Sequence, residues 1–200
     1  MGQLTQSNLY DGVASGMDLD SGDFTSAEQD EMDAWALDCL RMFLPMVPVY
    51  AIESVLTRLS SQASPVSLPS DSMKIVRVSG STSGDLLKEK APDEFSQIKA
   101  FYSGSAYSAG NRIWTSLMGK VYGFELGGEA VDLDYIAEPV WVSTNLSIPN
   151  GWEGIVIDYT VVKAKMKDEE PEQGKLLWDI FLQGLKRFQG FENIAKLVGG

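Results

Sequence analysis

Gly151–Phe188 reads GWEGIVIDYTVVKAKMKDEEPEQGKLLWDIFLQGLKRF. In its first half Trp152, Ile155, Val156, Tyr159, Val162 and Met166 recur at steps of three or four, the spacing that lines one stripe of a helix. Asp158, Lys163, Lys165 and Lys167 fall mostly off that stripe. The run Lys167–Gln173 is polar and contains Pro171, which predicts a helix stop. A second stripe follows in Leu177, Ile180, Phe181, Gly184, Leu185 and Phe188. Two amphipathic helices with a short polar break predict a helical hairpin on which the rest of the chain packs.

Working back to the start, residues 1–24 are rich in Gly, Ser and Asp, a composition that predicts a flexible acidic arm. Asp18, Asp20 and Asp23 lack the spacing of an acidic calcium loop, so no metal site is expected there. Thr25-Ser-Ala-Glu28 has the form of a capping box. Met32, Trp35, Ala36, Cys39, Leu40 and Phe43 form the stripe of the helix it opens, which Pro45 ends. Met46–Leu59 reads as a second helix, with Val49, Ile52, Val55, Leu56 and Leu59 inward and Glu53 and Arg58 outward. Ser60–Ser70 is a loop by composition.

The middle of the chain changes character. Met73–Val78 is a predicted strand, and Leu86–Lys90 a short strand or turn. Asp93–Tyr102 has the spacing of a short helix. Arg112–Ser116 and Lys120–Leu126 predict two strands joined near Met118-Gly119, and Val131–Ala137 a third. The whole predicts an α+β fold: a bundle of about four helices (25–60 and 150–189) with an inserted antiparallel β-meander at about 70–140 and an extended C-terminal tail, 191–200.

Composition narrows the chemistry. Two hundred residues, 44% of them apolar, fit one globular domain with an insertion. No apolar run reaches the ~18 residues of a membrane helix. The first residues lack the pattern of a signal peptide, and Gln6 stands where a myristoylation motif wants Ser or Thr. There is no histidine and one cysteine, Cys39, so Ser-His-Asp, Cys-His and His-zinc sites are excluded, as is any internal disulfide. Cys39 is expected to be a small buried hydrophobe. No phosphate-binding glycine motif is present. The pairs Asp93/Glu94, Asp132/Asp134 and Glu169/Glu170 are the candidates for carboxylate chemistry, weak ones in so acidic a chain. Net charge is −12, and the first 40 residues hold nine acids and no Lys or Arg. Such a surface repels phosphate and opposes nucleic-acid gripping. Lys163, Lys165 and Lys167 form the one basic cluster, read as a solvated face or a patch meeting an acidic neighbour. Trp35, Trp152 and Trp178 are expected in the core.

Four stretches carry a resemblance. They are the helical opening AWALDCLRMFLPMVPVYAIESVLTRL (34–59), the entry LPSDSMKIVRV (68–78), the close Ala137-Glu138-Pro139, and Ile148-Pro149-Asn150-Gly151-Trp152 leading into the returning helix. In order and layout the chain resembles the head-to-tail adaptor proteins of tailed bacteriophages, over roughly residues 26–190; the acidic arm before Thr25 departs from them. The resemblance implies a non-enzymatic virion protein with no cofactor, metal or membrane association. About twelve copies would form a heterologous ring under the portal protein. The ring would extend the DNA channel, let genomic DNA pass without specific binding, and dock a tail nozzle or tail tube protein. It implies the virion neck as location, with assembly in the host cytoplasm. Phe191, Ile194, Leu197 and Val198 of the apolar tail are the expected portal or oligomer interface. Alternatives are a tail-completion or other neck or tail ring protein, a carboxylate-based cell-wall hydrolase, and a binding module for a host protein.

Overall fold

A computed structural model describes residues 2–102, 112–124, 126, 128–168 and 171–186. In chain order the elements are β1 (Gly2–Thr5), α1 (Gln6–Met17), α2 (Ser26–Phe43), α3 (Val49–Ile52), β2 (Thr57–Gln62), β3 (Val66–Ser67) and β4 (Ser72–Gly80). Then come β5 (Lys88–Glu89), α4 (Pro92–Tyr102), β6 (Ile113–Leu117), β7 (Lys120–Phe124) and β8 (Val131–Ala137). The chain closes with β9 (Trp141–Val142), β10 (Asn145–Ile148), α5 (Glu153–Asp168) and α6 (Pro171–Leu185). The fold is α+β. It divides into a helical unit, up to Val55 and from Glu138 onward, and a β-rich unit, Leu56–Ala137.

In the helical unit α1, α2 and α6 all pack on α5. The stripe read from the sequence is the reason: Trp152, Ile155, Val156, Tyr159 and Val162 are buried, whereas Met166, expected on the same stripe, is exposed near the helix end. Tyr159 lies edge-on to Phe43 of α2 at 6.2 Å, and to Phe181 and Trp178 of α6 at 5.7 and 5.8 Å. Such edge-to-face pairs add to the area they bury. α2 starts as read: Glu28 N donates to Thr25 Oγ1 at 3.4 Å, and the Glu28 carboxylate accepts from Thr25 N at 2.7 Å. Those bonds from Thr25 hold the Glu28 carboxyl below its usual range. Cys39 is fully buried, and burial pushes its thiol far up, which makes it inert.

The N-terminal segment corrects the sequence reading. Residues 1–24 were expected to form a flexible arm; instead β1 pairs antiparallel with β10, and Leu4, Leu9 and Val13 are fully buried. Thr5 caps α1 by accepting from Asn8 N at 3.1 Å. The glycines that suggested flexibility let α1 approach α5. A Cβ on Gly12 would stand 2.8 Å from Ile157 Cδ1, and one on Gly16 2.7 Å from Val161 Cγ2.

Met46–Leu59 is not a second long helix. It breaks into α3, a 3₁₀ turn at Glu53–Val55, and β2. Ile52 belongs to the helical unit, while Leu59 pairs with Leu133 across β2 and β8 and packs on the β core. A single helix stripe cannot serve two cores.

The β-rich unit is not a simple meander either. β6 and β7 form a hairpin, turned at Met118 and Gly119 with positive φ at both, the requirement of a two-residue turn that follows strand twist. The next strand, β8, leaves that sheet and sits between β2 and β4, antiparallel to both. β3 and β5 complete the hairpin's sheet, and β5 runs parallel to β6. The core joins the two sheets through Val66, Val78, Leu87, Trp114, Val121, Val131 and Leu133. β8 is buried on both faces, and Ile136 is as buried as Leu133.

Candidate functional site

Of the acids that could have done chemistry, Asp132 and Asp134 tie strands of the β-rich unit together. Asp134 is nearly fully buried and is clasped by Arg58 Nε at 2.8 Å and by Arg77. Burial alone would raise its carboxyl; the hydrogen bonds from Arg77 and Arg58 override that and hold it below the usual range. Asp132 accepts from Ser61 N at 2.8 Å. Glu94, in the first turn of α4, pairs at 2.5 Å with Lys90 just before the helix. Glu169 and Glu170 lie outside the described residues.

A second carboxylate, Glu129, was not singled out in the sequence. Its Oε1 accepts from the backbone N–H groups of Ser83 and Thr82 at 2.6 Å each, and its Oε2 from Arg112 Nη1 at 2.5 Å. The Ser83 amide leads in pulling its carboxyl down to about 2. It therefore remains a carboxylate throughout the physiological range and cannot act there as a general acid. It locks the turn at 81–84.

In the helical unit Asp33 binds the N-terminal segment to α2. It accepts from Tyr10 Oη at 3.1 Å and from Gln6 Nε2, while its backbone carbonyl accepts from Trp141 Nε1 at 3.2 Å. Burial, then the Asp33 charge, pushes Tyr10 up to about 12. The lysines are split: Lys163 lies 5.5 Å from the Tyr159 ring centroid, and Lys167 pairs with Glu31 at 2.6 Å. Trp152 is buried as expected, and Trp35 and Trp178 are half-buried. Among the described residues no His/Cys/Asp/Glu group could hold a metal ion, and no helix is long and apolar enough to cross a membrane.

What remains is surface. α5 and α6 border an open groove of about 420 Å³ lined by Val161, Val162, Leu177, Ile180, Phe181 and Leu185. Asp158 and Lys165 stand beside it, and partial burial raises the Asp158 carboxyl. Ile180 and Leu176 are more than half exposed, as are Val140 and Val142 by the edge strand β9. The expected interface residues Phe191, Ile194, Leu197 and Val198 lie outside the described residues, as does Phe188. Ile180, expected on the inward stripe with Phe181 and Leu185, is instead exposed, four residues from the exposed Leu176 on the same outer face.

No family model matches the chain, and no curated protein is found to be similar to it.

Proposed function

We propose that this protein is a non-enzymatic ring subunit of a tailed bacteriophage, a head-to-tail adaptor that docks under the portal, lengthens the DNA channel and receives the tail. The observation that carries the reading is the exposed apolar face of the terminal helical hairpin, with Leu176 and Ile180 outward on α6 beside the groove against α5. Aliphatic residues exposed together in this way mark an interaction surface. A ring closes by repeating one face-to-back contact, so one such face per subunit suffices. The β-rich insertion between two helical halves, and the resemblance in layout, support the same reading. So do the acids: Asp134 and Glu129 are bound in structural ion pairs. The net charge of −12 suits a lumen that lets DNA slide.

The test is the mass of the purified full chain in solution, alone and with portal rings of its virus. The adaptor reading expects a ring-sized complex on the portal, lost in the Leu176→Glu/Ile180→Glu variant. Rings that form alone and ignore the portal would move the protein to the tail. A chain that never assembles overturns the reading.

A further inference from the structure

The β6–β7 hairpin has two faces, each buried over part of its length. One carries Trp114 and Val121 into the core of the β-rich unit. On the other, alternation puts Ile113, Thr115 and Leu117 together, with Tyr122 directly across from Thr115 and Phe124 across from Ile113. Helix α4 covers this second face, but only at one end. There Phe95 meets Phe124 edge-on, with ring centroids 6.3 Å apart. At the other end a cavity of about 510 Å³ is left, lined by Pro92, Phe95, Lys99, Thr115, Leu117 and Tyr122. That is within the ~300–1,000 Å³ of small-molecule sites, and apolar walls with a few polar groups are their usual composition.

Two of its polar groups are unspent. Thr115 is 3% exposed, and its Oγ1 has no hydrogen-bond partner among the described residues. A hydroxyl buried without a partner destabilises the fold unless something else bonds it. Lys99, at the solvent side, makes no ion pair among the described residues. Ser96, by contrast, is satisfied by donating to the Pro92 carbonyl at 2.9 Å. The cavity therefore has in its wall a residue whose buried hydroxyl lacks a partner, an exposed cation beside it, and apolar side chains around them.

We propose that this cavity binds a small carboxylate whose apolar, ring-sized body carries a hydroxyl or carbonyl at its far end. The far polar atom exchanges a hydrogen bond with Thr115 Oγ1, the body packs against Phe95, Leu117 and Tyr122, and the carboxylate meets the Lys99 ammonium. The inference goes beyond the ring reading and stands without it, since assembly and ligand binding are measured separately.

The experiment is a calorimetric titration of the full chain with three probes. These are 3-(4-hydroxyphenyl)propionate, its analogue 3-phenylpropionate without the hydroxyl, and tyramine with the opposite charge. The hydroxylated carboxylate should bind about ten-fold tighter than either of the others, one missing polar contact being roughly a factor of ten. Lys99→Met should remove its advantage over tyramine. Thr115→Val should remove its advantage over 3-phenylpropionate. The same Thr115→Val change should raise the melting temperature of the free protein by roughly a few degrees, because it deletes the orphaned hydroxyl. Lys99 is on the surface and Thr115→Val keeps the side chain's shape, so both variants fold. Absence of binding by the hydroxylated probe up to about 10 mM overturns the proposal. So does a preference that survives both substitutions.

Discussion

The helical unit and the β-rich unit are held by different means. The helical unit is an aromatic and aliphatic core around α5, centred on Phe43, Tyr159 and Phe181, and its charged pairs lie at the surface. Arg41 with Glu138 at 2.8 Å and Lys167 with Glu31 at 2.6 Å are both well exposed. Exposed pairs of this kind contribute only ~0–1 kcal/mol. The β-rich unit has short strands in two sheets and a smaller core, and it sets a buried carboxylate, Asp134, and a half-buried one, Glu129, against arginines. A helix satisfies its own backbone and needs only a stripe to dock. Short strands from distant parts of the chain must be located on one another, and directional, charge-assisted bonds do that.

The largest expected effect tests the helical unit. Phe43→Ala removes the side chain between Tyr159 and Phe181 and should lower unfolding stability by about 3–5 kcal/mol in denaturant titration. A loss below about 1 kcal/mol would mean that this core is not where the unit's stability resides. Asp134→Asn in the β-rich unit should cost about 1–3 kcal/mol, since a neutral amide cannot satisfy both Arg58 and Arg77. Hydrogen exchange should show the loss in β2, β4 and β8; an effect confined to α1 and α2 would break the contrast.

Gly16→Val sharpens it from the other side. Its Cβ alone would crowd Val161, so overpacking should cost about 1–3 kcal/mol and expose α1 to proteolysis, whereas Gly22→Val, in open space, should cost little. The smallest effect is confined to acid. The Glu129 carboxyl is pulled down to about 2 from an ordinary 4.5. Its contribution is therefore present above the unfolded value and is lost as pH falls from there toward 2. Exchange protection of the Thr82 and Ser83 amides should fall in that window. In Glu129→Gln the protection should be lower at neutral pH and flat with acid. Equal acid sensitivity in wild type and variant would remove Glu129 from the account.

The sequence readings succeeded and failed along the same line. Thr25–Phe43 and the first half of the Gly151–Phe188 stretch were legible because capping and helical periodicity are local, and one stripe buried against one neighbour leaves a plain signature. The hairpin turn at Met118-Gly119 was legible for the same reason. Arg58 read as an outward helix residue, and nothing near it in sequence points to Asp134, 76 positions away. Residues 1–24 read as an arm because Gly and Ser look alike whether they loosen a chain or let two helices approach. The outer face of α6 was misread, since Ile180 was placed on the inward stripe and is exposed, and the cavity over Thr115 was not visible either, because it depends on where α4 stops covering the hairpin.

By itself, then, the sequence determined the α+β class, the start and stop of α2, the returning helix α5, and the absence of histidine and disulfide chemistry. Each of these follows from a residue's own chemistry or from neighbours within about one or two helix turns. The tertiary structure alone decided that β8 joins β2 and β4 and leaves the hairpin, that β1 and α1 close onto β10 and α5, and that Asp134 and Glu129 are clasped by arginines. Those outcomes depend on which distant surfaces can be buried together at once, and no short window of sequence contains both partners.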